Sequence, residues 1–125
     1  MTTTIYHGGR VKPVSSKRTW ATEDLTYARE YRDIARITCR TAGLWRRTVD
    51  LTALRVVDLR SAGLCGKRAA MLLAEAGIET SRHYDEPHLL IEDISDAQFR
   101  AAGIDAVRII ESTDGVEAET ICFFS

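Results

Sequence analysis

The stretch Asp105–Phe124, DAVRIIESTDGVEAETICFF, decides the fold class. DAVRII reads as a strand, STDG as a turn, and EAETICFF as a final, largely buried strand. Working back from it, Ser95-x-x-Gln98 is a capping box, with Ile94 set to pack on Phe99 as a hydrophobic staple, and it opens a short helix ending at Gly103. Ile78 to Pro87 reads as polar and irregular. Ser61 is expected to cap a helix carrying Leu64, Ala69, Leu72, Leu73 and Ala76 inward, stopped by Gly77. LWRRTVDL and LRVVDL read as two strands separated by a bend at Thr52-Ala53.

Towards the start, Thr3–His7 is a strand running into Gly8-Gly9, which suits a tight turn or a close backbone approach to a ligand. A polar loop, Arg10 to Lys17, leads to a short strand over Arg18–Thr22. Thr22 is expected to cap a helix with Glu23 and Asp24 in its first turn, where acids complement the helix dipole. Leu25, Ala28, Tyr31, Ile34 and Ala35 recur at helical spacing and predict its inward face. The sum is α+β, five to seven short strands with two or three helices, without regular βαβ alternation. No G-x-G-x-x-G or P-loop is present, which argues against a Rossmann nucleotide site.

At 125 residues, the chain is read as a single domain spanning 1–125. Seventeen basic residues against eighteen acidic ones give no electrostatic footprint for nucleic acid. The local group Arg40, Arg46, Arg47, Arg55 and Arg60 reads as a solvated strand face. Cys39, Cys65 and Cys122 form neither a C-x-x-C nor an even disulfide framework, and no apolar signal segment follows MTTT. A reducing, cytoplasmic setting is therefore expected, in the producing cell or in a target cell, with no transmembrane segment.

Few side chains stand out as chemistry. His83 and His88, with Asp85 and Glu86 between them, match no zinc spacing and read as a solvated loop. No Ser-His-Asp or Cys-His arrangement is suggested. Glu119 differs, because alternation puts it on the strand face of Ile121 and Phe123, either in solvent at the strand end or held in a pocket. Glu117 shares that face.

Three pieces in order then carry a resemblance: Tyr6-His7-Gly8, a strand and helix led by Trp20 and Tyr31 with ten residues between them, and Glu119-Thr-Ile in the last strand. This order resembles the ADP-ribosyltransferases of the histidine–tyrosine–glutamate class, the diphtheria-toxin and poly-ADP-ribose polymerase type. GIDAVRII resembles the Gly-Tyr-Asp-Gly-Ile/Val stretch of bacterial members. Trp20 stands where the class has a tyrosine, and Ala21-Thr22-Glu23 where it has Ser/Thr-Thr-Asp. Glu117-Ala-Glu119 also imitates the Glu-x-Glu of the arginine-modifying class, which has an arginine in place of His7, so the acceptor residue stays open. Glu111 is the alternative acid if the last strand shifts in register.

The resemblance implies a compact ADP-ribosyltransferase-like fold of two small packed antiparallel or mixed sheets with flanking helices, and NAD as co-substrate without a metal. It implies that His7 bonds the adenosine ribose, Gly8 reaches the nicotinamide amide, and Trp20 and Tyr31 sandwich the nicotinamide ring. Thr22 and Arg10 act as supports, Arg10 for the pyrophosphate. Glu119 is the catalytic carboxylate, stabilising positive charge as the nicotinamide leaves, and Glu117 is a candidate for acceptor recognition. The implied function is mono-ADP-ribosyl transfer to a macromolecule, a protein before a nucleic acid, by a bacterial toxin or effector or a phage counter-defence protein. An antitoxin or immunity protein is a further expected partner, and a membrane is not. The alternatives are NAD hydrolysis, ADP-ribosylation of nucleic acid, or a degenerate partner-binding domain of the same fold.

Overall fold

The hairpin at the end of the chain is the spine of the structure, a computed structural model that describes residues 2–9, 18–80, 82–113 and 115–124. In chain order the strands are β1 (Thr3–Gly9), β2 (Thr19–Ala21), β3 (Gly43–Val49), β4 (Val56–Asp58), β5 (Ala106–Thr113) and β6 (Val116–Phe123). The helices are α1 (Leu25–Arg36), α2 (Gly66–Glu75), α3 (Pro87–Asp93) and α4 (Asp96–Ala101). β5 and β6 pair antiparallel from Ala106↔Phe123 to Thr113↔Val116, and Gly115 turns the chain at a φ of 80° that side-chain-bearing residues avoid.

They form the centre of a four-stranded sheet ordered β2-β6-β5-β4, with β4 parallel to β5. A parallel pair needs a long crossover, and residues 59–105 supply it with α2, α3 and α4. β1 and β3 make a second, antiparallel sheet, in register from Thr3↔Val49 to Gly9↔Gly43. The expected α+β architecture of two small sheets, one antiparallel and one mixed, is what forms.

Each face of the hairpin buries a separate core. Val107, Ile109 and Cys122 pack with Leu73, Leu90 and Phe99 of the crossover helices. Residues one step along, Ala106, Ile121 and Phe123, pack with Ile5 of β1 and Ala21 of β2. Burying one such leucine, isoleucine or phenylalanine fully is worth roughly 1.5–3 kcal/mol, so the hairpin is fixed from both sides. Arg18 closes the edge. Its Nε donates to Asp96 Oδ1 at 2.7 Å, its other nitrogens reach the carbonyls of Ile91 (2.9 Å) and Ile94 (2.5 Å), and its guanidinium lies over the Phe124 ring.

Four local expectations are corrected. Four helices are present among the described residues, because α3 arises beyond the stretch read as irregular. Pro87 sits at its start, where the missing N–H costs nothing, and Leu90 and Ile91 are buried. Ser61 does not cap α2. It lies in a 3-10 turn, Arg60–Ala62, that Gly63 ends at positive φ, and α2 begins at Gly66 after Cys65. Asp24, rather than Thr22, is the N-cap of α1, accepting from Tyr27 N at 3.1 Å. The inward face of α1 is Tyr27 and Ala28, leaving Tyr31 47% and Ile34 43% exposed. The Ser95–Gln98 capping box forms as expected, and Ile94 and Phe99 share one core.

No helix among the described residues is long and apolar enough to cross a membrane.

Candidate functional site

One cleft of about 370 Å3 opens beside the hairpin. β1 contributes Tyr6, His7, Gly8 and Gly9; β2 and the next residue contribute Trp20, Ala21 and Thr22; α1 contributes Tyr27, Ala28 and Tyr31. Glu111, Ser112 and Thr113 of β5, Thr120 of β6, and His88 and Glu92 of α3 complete it.

The first two sequence pieces are joined by backbone. Tyr6 N donates to Thr22 O at 2.8 Å and Thr22 N to Tyr6 O at 2.9 Å, linking the sheets at the cleft wall. Gly8 then brings α1 in. A Cβ there would lie 2.1 Å from the Ala28 carbonyl oxygen, so only glycine lets the helix carrying Tyr27 and Tyr31 rest on β1. The His7 ring is held by Nδ1, 2.6 Å from the Trp20 carbonyl oxygen. A carbonyl only accepts, so Nδ1 carries the hydrogen, and the neutral ring has its lone pair on Nε2. The Trp45 ring lies 5.7 Å from His7 on the strand opposite.

Two carboxylates line this cleft, Glu92, which is exposed, and Glu111, which is partly buried. Glu111 shares a face of the hairpin with Ile109, Ala118, Thr120 and Cys122, whereas Glu119 faces the other way. Tyr27 Oη donates to Glu111 Oε1 at 2.7 Å, and Thr113 Oγ1 lies 2.8 Å from the same phenol. The phenol's single hydrogen goes to the carboxylate, so Thr113 donates to Tyr27 in turn. Burial holds the Glu111 carboxyl above the usual carboxylate range, partly opposed by the Tyr27 bond. Burial likewise pushes the phenols of Tyr27 and Tyr31 up, so both are neutral donors in ordinary solution.

Buried hydrogen-bonding capacity is left over in the cleft. Thr120 is 3% exposed, and its Oγ1 has no hydrogen-bond partner among the described residues; His88 Nδ1 is also buried without one among them. Such groups cost stability unless something meets them. Thr22 is the opposite case. Its hydroxyl donates to Glu119 O at 2.8 Å and accepts from Asp24 N at 3.0 Å, so its place is to hold β2, β6 and α1 together.

The remaining sequence candidates lie elsewhere. The Glu119 side chain is 55% exposed, ion-paired to Arg60 at 3.2 Å and 3.9 Å from Arg108. Arg60 also holds Asp58 at 2.7 Å, keeping that carboxyl below its ordinary range, and Arg108 holds Glu23 at 3.2 Å. Glu117 joins Glu119, Glu23 and Asp24 around Arg108 in an open depression of about 430 Å3 with no aromatic side chain. That depression exceeds the cleft in volume, but its Glu119 and Glu23 are already paired with arginines, and it offers no flat surface. Arg10 lies outside the described residues. The structure thus brings His7, Gly8, Trp20, Thr22, Tyr31 and the alternative acid Glu111 together, and leaves Glu117 and Glu119 apart.

Tyr27, Thr120, Glu92 and His88 are the cleft residues that the sequence reading did not select. His88 had looked like a loop residue, yet Pro87, Leu90, Ile91 and Ile94 carry the helical spacing that places it on α3. No protein-family model, no curated protein and no solved structure matches the chain.

Proposed function

We propose that this protein cleaves NAD and transfers the ADP-ribosyl group to a macromolecular acceptor, with Glu111 as the carboxylate that faces the reacting carbon. The observation carrying this reading is one cleft holding His7 and Gly8, the aromatic pair Trp20 and Tyr31, and a partly buried carboxylate.

Charge and shape support it. Among the described lining residues Glu92 and Glu111 are carboxylates, and none is a lysine or arginine. An aromatic, anionic slot suits the nicotinamide ring, which is flat and carries the positive charge of the dinucleotide. A second depression of about 160 Å3 shares Tyr6, His7 and Ala21 with the cleft and adds Trp45, Arg46 and Arg47, a cationic edge suited to phosphate. Thr120, which lines the floor, keeps a buried hydroxyl with no partner among the described residues, a donor that a small side-chain adjustment on binding would turn to a polar ligand group.

The chain's contributions follow from these places. Trp20 and Tyr31 hold the ring, His7 offers Nε2 to a ribose hydroxyl, and ionised Glu111 counters the charge that grows on the anomeric carbon. Placing the acid on β5 keeps the roles expected for His7, Gly8, Trp20 and Tyr31 and moves only the carboxylate. A toxin, effector or counter-defence role, a protein acceptor and an antitoxin partner belong to the same proposal. Hydrolysis to free ADP-ribose is the outcome when water is the acceptor.

The test incubates the pure protein with labelled NAD, alone and with cell lysate. Release of nicotinamide with label on a discrete acceptor supports transfer, and release with free ADP-ribose alone supports hydrolysis. No release in either condition overturns the enzymatic reading. Quenching of tryptophan fluorescence by NAD in a Trp45→Phe background, lost in Trp20→Ala, tests binding independently.

A further inference from the structure

The cleft holds a second imidazole besides that of His7. His88, on the first turn of α3, lines the cleft with Glu92 one turn further along. Its Nδ1 is buried, and the Glu86 Oε2 atom lies 3.8 Å away, too far for a hydrogen bond but within ion-pair range. A hydrogen on Nδ1 suits that carboxylate, and the tautomer that carries it leaves the lone pair on Nε2. Contacts of this kind are often long before a substrate is bound and tighten around it.

The other groups in the cleft are engaged differently. His7 is tied to the Trp20 carbonyl through Nδ1, and its Nε2 is the atom assigned to a ribose hydroxyl. Glu111 Oε1 is bonded to Tyr27, and its negative charge is what the cleavage step uses. The Tyr27 and Tyr31 phenols keep their protons. Glu92 is exposed. His88 is the imidazole backed by a carboxylate, the arrangement used to move a proton.

We propose that Glu86 and His88 form an acid–base pair of the cleft, and that the acceptor is a neutral nucleophile that loses a proton as it attacks, for which an O–H group serves as the example. This rests on the NAD-cleaving reading. The bond between the anomeric carbon and the nicotinamide nitrogen breaks, and its electron pair returns to the ring, which leaves neutral. A lone pair of the acceptor oxygen forms the new bond to that carbon. The proton this oxygen would otherwise keep as an oxonium passes to His88 Nε2. The imidazolium so formed faces the Glu86, Glu92 and Glu111 carboxylates and later gives its proton to solvent. A carboxylate acceptor would have no proton to remove, so a base here favours nucleophiles that lose a proton as they attack, hydroxyls and water among them.

Competition between nucleophiles tests this on the full chain without knowing the natural acceptor. NAD is supplied in buffer containing methanol and sodium azide, and ADP-ribose, methyl-ADP-ribose and azido-ADP-ribose are quantified together. Azide attacks without losing a proton. In His88→Gln the ratio of azide to methanol product is expected to rise about 100-fold over wild type, the lower range for general-base catalysis. Glu86→Gln moves it in the same direction by about tenfold, as loss of an orienting partner does. NAD affinity measured by calorimetry stays within about twofold, since neither side chain is assigned to the dinucleotide. An unchanged ratio in His88→Gln, or a fall of all products in parallel, overturns the pair while leaving the NAD reading intact. Wild type that yields no nicotinamide with any nucleophile overturns both.

Discussion

Replacing Glu111 and Glu119 by glutamine, one at a time, separates the two carboxylates that the sequence left in competition. Glutamine at 111 keeps an oxygen to accept from Tyr27, whose bond to Oε1 is 2.7 Å, so the local fold is retained. It removes the Glu111 charge from the cleft and leaves only the exposed Glu92. Loss of one preorganised group aimed at developing charge costs about 3–4 kcal/mol, which at 1.36 kcal/mol per decade is roughly a 100- to 1,000-fold fall in kcat. Glutamine at 119 breaks an exposed pair instead. Arg60 keeps Asp58 at 2.7 Å and Arg108 keeps Glu23 at 3.2 Å, so neither guanidinium is stranded. Pairs of that kind contribute less than about 1 kcal/mol, so only stability moves, and kcat is expected to stay within about threefold. The assay is nicotinamide release at saturating NAD, with circular dichroism to confirm folding. A 100-fold loss in Glu119→Gln beside an active Glu111→Gln would refute the reasoning, because it would mean that the exposed face of the hairpin holds the reacting carbon.

The remaining expectations concern the walls and floor of the cleft. Gly8→Ala places a methyl group 2.1 Å from the Ala28 carbonyl oxygen. The resulting shift of α1 should cost about 3 kcal/mol in urea unfolding, the upper end of overpacking costs, and weaken NAD binding. Arg18→Ala leaves Asp96 and the carbonyls of Ile91 and Ile94 without their partner. A loss of about 3 kcal/mol in the same measurement follows. Burial raises the Glu111 carboxyl in the folded chain, so kcat/KM should rise with pH along an acid limb lying above the ordinary carboxylate range. By linkage the folded state holds that proton more tightly than the unfolded one, so this group's stabilising share is complete below the unfolded value and lost as pH rises through the folded one. Unfolding of Glu111→Gln across the same pH series should lack that decline. Thr120→Val keeps the shape and removes the unpartnered hydroxyl. It should raise stability by about 1 kcal/mol and weaken NAD binding roughly fivefold, as expected for one hydrogen bond moved from ligand to nothing.

Alternation placed Glu119 with Ile121 and Phe123, and those three do share a face. What alternation could not tell is which face meets the cleft, because Thr120, Ile121, Cys122 and Phe123 are all buried, with Cys122 in one core and Ile121 and Phe123 in the other. A strand with one wet face announces its inside, and a strand buried on both faces does not. The same limit explains Tyr27. Leu25, Ala28, Tyr31 and Ile34 have the right spacing, but α1 rests on β1 through Gly8, a close approach that rotates Tyr27 inward and leaves Tyr31 at the cleft edge. Capping chemistry, by contrast, is local, so the Ser95–Gln98 box was readable residue by residue. His7 and Trp20 were legible as a pair only through the resemblance, since the contacts that unite them, the His7 ring on the Trp20 carbonyl and the backbone pair between Tyr6 and Thr22, join residues far apart in the chain.

Neighbours on β6 show why unmet hydrogen-bonding capacity is a better pointer to a site than the presence of an acid. Glu119 has two arginines within 4 Å, and each arginine has another carboxylate, so the group is complete without a ligand. Thr120, the next residue, is buried with nothing to bond, and across the strand pair Glu111 keeps one oxygen beyond its bond to Tyr27. Selection for stability alone removes such groups, since valine for Thr120 or glutamine for Glu111 would fold at least as well. On the proposed reading, their joint presence in an aromatic cleft with His7 and His88 is the cost expected of a site built to meet a polar, partly cationic ligand. A domain kept only as a partner-binding scaffold has no such reason to retain both. If Thr120→Val and Glu111→Gln each stabilise the protein and each weaken NAD binding or turnover, the trade-off itself argues for catalysis over scaffold. If both stabilise it with NAD binding and turnover unchanged, the scaffold reading takes its place.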